Sequence, residues 1–118
     1  MPLSGEEIVH QYFRYIDNKD LSGILDLFDY DAIVHEPFSK MTEGLKGRSS
    51  IEPFLRVAMM ANSSLQRTIK FEKPTKPNKI IALITFEKGD KVRGKFTFEL
   101  IDDSSRGKKI KSLNIEFL

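Results

Sequence analysis

Apolar residues recur at helical spacing through the first half of the chain and at every second position through the second half. Ile8, Val9, Tyr12, Phe13 and Ile16 fall on one helical face. Ser4 and Glu7 precede that face at capping-box spacing: the Ser hydroxyl can accept from a free backbone N–H while the Glu reaches back. Asn18-Lys19-Asp20 ends the helix, and Asp20 is placed to cap a second, short one carrying Leu21, Ile24, Leu25 and Phe28. The stretch AIVHEP (32–37) reads as a strand stopped by its proline. A loop rich in Gly and Ser leads into SSIEPFLRVAMM (49–60), where Ile51, Phe54, Leu55, Ala58 and Met59 form an amphipathic stripe. Pro53 is expected in the first turn of that helix, where a missing N–H matters little.

From residue 65 the period becomes two. LQRTIKFE, KIIALITFE, VRGKFTFEL and KIKSLNIEF read as four strands, separated by turn segments containing Pro-Asn, Gly-Asp and Ser-Ser-Arg-Gly. Gly94, Phe96, Phe98 and Leu100 share one face of the third; Leu113, Ile115 and Phe117 share one face of the last. KIIALITFE is apolar on both faces, which suits a central strand or one covered on one side by a partner chain. Helices first and strands second is the α+β pattern. A strongly bent, mostly antiparallel sheet wrapped over three helices would satisfy it and would leave a cone-shaped pocket between the two layers.

Length and charge narrow the picture without adding chemistry. The 118 residues suit one domain spanning 1–118, with one core. Nineteen basic residues face 17 acidic ones, for a net charge of only +2, so the chain is not built for a polyanion. The Lys-rich patches at 70–79 and 106–111 lie beside turns with no interleaved aromatic residues, so they read as solvated loops, not a nucleic-acid surface. There is no cysteine, which removes disulfides and thiolate chemistry and makes the cytoplasm the default expectation. MPLSGEEIVHQY lacks a basic n-region and a long apolar run, so no signal peptide is expected, and no apolar stretch is long enough to suggest a membrane span.

Several chemistries lack their residues. His10 and His35 are the only histidines and stand in no metal-ligand spacing, so no metal site is expected. No glycine-rich phosphate loop follows a strand, and no serine sits in a nucleophile-elbow context. GLKGRSS (44–50) opens a helix, and a turn plus cap accounts for it. Tyr12 and Glu36 remain. Tyr12 lies on the apolar face of the first helix, so its hydroxyl needs a partner. Glu36 shares the parity of Ala32 and Val34, so its carboxylate is expected to point inward with them. If the first helix packs over this strand, both polar tips enter one pocket, with Phe54, Leu83, Phe96, Phe98, Leu113 and Phe117 as candidate lining residues. A desolvated carboxylate there is a candidate general base, and a buried phenol can donate to an oxygen on which charge develops. His35 alternates with Glu36, faces the other way and takes no catalytic role.

The run EEIVHQYFRYIDNKDLSGILDLFDYDAIVHEPF followed by GLKGRSSIEPFLRVAM resembles the ketosteroid isomerase branch of the nuclear transport factor 2-like (SnoaL-like) superfamily. The resemblance covers nearly the whole chain. It rests on the order of the helix break Asn18-Lys19-Asp20, the pair Glu36-Pro37, and Gly47, Arg48, Ile51 and Phe54. It implies a cone of three helices under a curved sheet. Tyr12 and Glu36 stand 24 residues apart, as the oxyanion-binding Tyr and the catalytic carboxylate do in the isomerases. The resemblance therefore implies Tyr12 as oxyanion donor and Glu36, where the family usually has Asp, as base. The position of the family's second acid donor falls on Phe98, and neighbouring Glu99 has outward parity. The implied function is cofactor-free proton transfer at carbon beside a carbonyl of an apolar small molecule, as an isomerase, cyclase or lyase. The alternative is a non-catalytic ligand-binding or assembly module of the same fold. A homodimer through the outer sheet face is expected on the same grounds. A cofactor-free epoxide hydrolase is a third option; relatives of that kind need a buried Arg between two acids, and Arg14 and Arg56 read as surface residues on helices.

Overall fold

The computed structural model describes residues 4–38, 42–62, 65–88, 90–103 and 107–118. Three helices, α1 (Gly5–Asn18), α2 (Leu21–Asp26) and α3 (Arg48–Asn62), pack into a strongly curved sheet to form a cone. The strands are β1 (Phe28–His35), β2 (Leu45–Lys46), β3 (Gln66–Phe71), β4 (Lys79–Lys88), β5 (Asp90–Asp103) and β6 (Gly107–Phe117). They lie in the order β2-β1-β6-β5-β4-β3, antiparallel throughout except for β1 beside β6.

The helix signals act as the sequence implies. The Ser4 hydroxyl accepts from the Glu7 N–H at 3.2 Å, Lys19 closes α1 in the left-handed region at φ 53°, and the Asp20 carboxylate accepts from the Gly23 N–H at 2.9 Å. Three boundaries differ from expectation. Phe28 belongs to β1, not to the second helix. The Leu27 carbonyl accepts from the Ile110 N–H at 2.8 Å, which draws the chain into the sheet before Ala32. Leu45–Lys46, read as loop, pairs with β1 as a short edge strand. Pro53 is the sixth residue of α3, not part of its first turn, because Gly47 at φ 86° already offers its carbonyl to the N–H groups of Ser50 and Ile51.

Alternation divides the sheet into two unlike faces. Inward rows cross the strands as Ile80–Phe98–Leu113–Val34, Phe71–Ala82–Phe96–Ile115 and Ile69–Ile84–Gly94–Phe117. The outward rows are mostly polar: Lys70–Leu83–Lys95–Glu116 and Lys79–Glu99–Ser112 are two of them. Ile81 and Leu83 of β4 are half-exposed on that outer side, so the strand that is apolar on both faces has only one of them fully covered. Register breaks in the β1–β6 and β5–β6 pairings fall near Phe28 and Leu100, and bulges of this kind bend a sheet.

Where β1 bulges, the Phe28 carbonyl leaves the ladder and Arg48 takes it up. Its Nη2 and Nε donate to that oxygen at 2.6 and 3.2 Å, and its guanidinium lies 4.3 Å from the Tyr30 ring centroid. The start of α3 is thereby tied to the start of β1. Arg48→Met keeps the apolar stem and removes both donors. It is expected to destabilise the fold by about 1–3 kcal/mol, the range for orphaning a buried acceptor, as read from urea denaturation; an unchanged midpoint would mean that solvent replaces the guanidinium.

Candidate functional site

The inward rows do not fill the cone completely. Between α1, α3 and the inner face of the sheet lies a cavity of about 620 Å³, within the usual range for a small-molecule pocket. Tyr12, Phe13 and Ile16 of α1 close one side, and Pro53, Phe54 and Val57 of α3 the other. Phe96 of β5 and Ile115 and Phe117 of β6 contribute the sheet wall, and Glu36, just past the end of β1, supplies a carboxylate. Phe38 is 74% exposed and meets Phe117 edge to face at 5.2 Å. With the exposed Val57 and Val92 this pair marks the mouth.

Of the residues expected to line the pocket, Phe54, Phe96 and Phe117 are in its wall. Phe98 and Leu113 are not. They are paired across β5 and β6 and wholly buried in the inward row that continues to Val34. The Tyr12 ring stands edge-on to Phe98 at 5.6 Å and covers it, so Phe98 supports the donor from behind instead of facing the cavity. Leu83 is on the opposite side of the sheet: its register partners are Lys70 and Lys95, and its parity is outward.

Tyr12 and Glu36 both reach the cavity. The Tyr12 ring contacts Phe13, Phe28 and Phe98, with centroids 5.0, 6.4 and 5.6 Å away. Only 2% of the residue is exposed, and among the described residues its hydroxyl makes no hydrogen bond. Burial pushes its pKa well above the ordinary tyrosine range, and the nearby positive charge of Arg67 pulls it part of the way back. Tyr12 is therefore a protonated donor throughout the neutral range. Glu36 is half-buried, and its Oε2 accepts from the Phe38 N–H at 2.7 Å, a turn that holds the carboxylate at the strand end.

Arg67 was missed by the sequence reading. It lies on β3 in the inward set with Ile69 and Phe71, opposite Phe86, and forms part of the cavity wall. Its side chain is 7% exposed. Nη1 donates to Asp17 Oδ2, and Nη2 pairs with Oδ1, both at 2.9 Å, so one carboxylate takes a two-pronged fork. The guanidinium also lies 5.0 Å from the Phe13 ring centroid and 6.0 Å from that of Phe86. The available signal was parity: in QRTIKF the inward positions hold one cation among apolar residues. Among the described residues no group of His, Cys, Asp and Glu is arranged to hold a metal, and no helix is long and apolar enough to cross a membrane.

No protein-family model matches the sequence, and no curated protein matches it. Solved structures do match. RV0760c from Mycobacterium tuberculosis, in complex with estradiol-17beta-hemisuccinate, is 22% identical, with 98% of this chain and 95% of that one covered at a TM-score of 0.71. The epoxide hydrolase/cyclase-like enzyme SalBIII of salinomycin pyran ring formation is 17% identical, with 97% and 90% covered at 0.69. A ketosteroid isomerase-like protein from Erwinia carotovora atroseptica is 8% identical, with 96% and 92% covered at 0.71. At these identities the likeness is one of fold. The three helices, the curved sheet and the cavity between them are the nuclear transport factor 2-like (SnoaL-like) fold, and this chain adopts it.

Proposed function

We propose that the chain binds an apolar small molecule bearing a carbonyl or related oxygen and moves a proton at the adjacent carbon without a cofactor. The observation that carries this reading is a protonated phenol, unpaired among the described residues, facing an apolar cavity whose wall also holds a carboxylate. Glu36 takes the proton from the carbon beside the carbonyl. The electron pair moves onto the carbonyl oxygen, which becomes an enolate, and Tyr12 donates to it. Glu36 then returns the proton to carbon, giving an isomerised or exchanged product. The steroid ligand of RV0760c and the isomerase-like and cyclase-like neighbours support this ligand class. One observation favours a second reading, a non-catalytic carrier: the Phe38 N–H engages the Glu36 carboxylate, so that oxygen is already occupied by the chain's own backbone.

Hydrogen–deuterium exchange at the α-carbon of 2-tetralone, followed by NMR, separates the two. Catalysis predicts exchange above the buffer rate, falling about 10²–10⁴-fold in Glu36→Gln and about 10²–10³-fold in Tyr12→Phe. Binding without exchange would establish the carrier. Ultraviolet titration tests the donor itself. The wild-type minus Tyr12→Phe difference spectrum should show no phenolate signal at pH ~10, the ordinary tyrosine pKa. The linkage sign follows. The unfolded chain releases this proton above pH ~10 and the folded chain holds it, so the contribution of Tyr12 to stability is intact below that pH and is lost as pH rises beyond it.

The proposal includes a homodimer through the outer sheet face, centred on Ile81 and Leu83 with Lys79, Lys95, Glu99 and Glu116 around them. Leu83→Glu is then expected to shift the protein from dimer to monomer in sedimentation. A monomeric wild type at micromolar concentration would remove this part of the reading.

A further inference from the structure

The buried cation has no part in the proton transfer just described, yet it sits in the wall of the same cavity. A guanidinium taken from water is stabilised only by close partners. Asp17, which holds Arg67 in a fork, is itself substantially exposed on α1.

Its placement relates it to Tyr12. The Tyr12 ring and the Arg67 guanidinium are each 5.0 Å from the centre of the Phe13 ring, so they lie within twice that distance of each other. Glu36 lies elsewhere. It follows β1, and Arg67 is on β3, four strand spacings away, which is roughly 19 Å along the sheet before curvature shortens it. The cavity thus has a negative flank and a positive flank, with Tyr12 on the helix above the sheet.

We propose that Arg67 and Tyr12 together form the oxygen-binding end of the cavity, making it a site for an apolar acid — a phenol, enol or carboxylic acid — held as its anion. This deepens the pocket reading above and rests on it. The chemistry is electrostatic: a positive charge in low-dielectric surroundings favours the ionised form of a nearby oxygen, and the phenol of Tyr12 donates a hydrogen bond to it. The proton lost by the ligand goes to solvent. Tyr12 remains the donor throughout.

The test uses 2-naphthol as the probe, because its neutral and ionised forms differ in absorbance and fluorescence. Free in water it ionises in the tyrosine-like range, around pH 10. Bound to the wild-type protein, it should ionise at a lower pH than in water. Arg67→Gln should raise the apparent pKa of the bound probe by about one to three units relative to wild type, the effect of losing a close opposite charge. Arg67→Lys should recover part of that difference. Should Arg67→Gln fail to fold, Asp17→Asn reads the same field in the opposite sense. It removes a negative charge and leaves the cation, so the bound probe should ionise at a still lower pH. Circular dichroism confirms folding of each variant. A bound probe that ionises no more easily than in water overturns the proposal and leaves the pocket reading standing, as does an Arg67→Gln variant with an unchanged probe pKa. The same holds for an Asp17→Asn variant in which that pKa is unchanged or raised. Wild-type protein that does not bind 2-naphthol in the cavity overturns both.

Discussion

The Tyr12 ring meets three phenyl rings edge to face, from its own helix, from β1 and from β5, and the cone depends on that junction. Edge-to-face contact puts the positive ring edge against the negative ring face, so such pairs fix angle as well as distance. Phe28 and Phe98 come from strands that are not neighbours, with β6 between them. A helix resting on both cannot slide without breaking one contact. The junction sets how far α1 stands from the sheet, and that gap is the cavity. It also fixes the direction of the only part of Tyr12 that is not hydrocarbon. One aromatic junction therefore serves both packing and donor placement.

The polar groups of the cavity follow from period-two geometry applied to strands that are nearly all apolar inside. Glu36 and Arg67 lie at opposite flanks of the sheet, Glu36 just past the end of β1 and Arg67 on the edge strand β3, and both line the cavity. A charge on the inward face of central β5 would meet Tyr12 and the core, and there the chain has Phe96 and Phe98 instead. Desolvation decides this. An ionised side chain in the middle of the sheet needs a fully satisfied set of partners, whereas one at the edge can share an exposed carboxylate, as Arg67 does with Asp17.

Much of this was legible in the chain. Capping at Ser4 and Asp20, the stripes of α1 and α3 and the alternation of β3 to β6 are local signals, and local signals decide these elements. What was hidden depended on pairing. Phe28 has the spacing of a helix face, but pairing with Ile110, far along the chain, whose N–H donates to the preceding Leu27 carbonyl, makes it a strand residue. Leu45–Lys46 carries no strand pattern of its own, and β1 alone recruits it. In the site, parity brought Glu36 to the wall, and Tyr12 followed from its helix face. Parity alone could not separate Phe96, which faces the cavity, from Phe98, which Tyr12 covers, because that depends on where α1 crosses the sheet. Leu83 was misassigned for a plainer reason: its strand is apolar on both faces, so hydrophobicity no longer marks which is inner.

The same geometry bears on how one cavity can hold both the carboxylate of the proposed proton transfer and the cation of the proposed anion site. A protonated carboxylic acid donates one hydrogen bond and must have its own pKa held high to do so. A guanidinium needs no such tuning, but it must be kept from collapsing onto the base. Here four strand spacings separate Arg67 from Glu36, and Asp17 holds the cation toward α1. If the two were adjacent they would form a further ion pair, and the positive charge that Asp17 already offsets in part would be offset again before a ligand arrived. Keeping them on opposite flanks leaves the carboxylate and the guanidinium independent of each other, so the two proposed roles fall at different ends of one cavity.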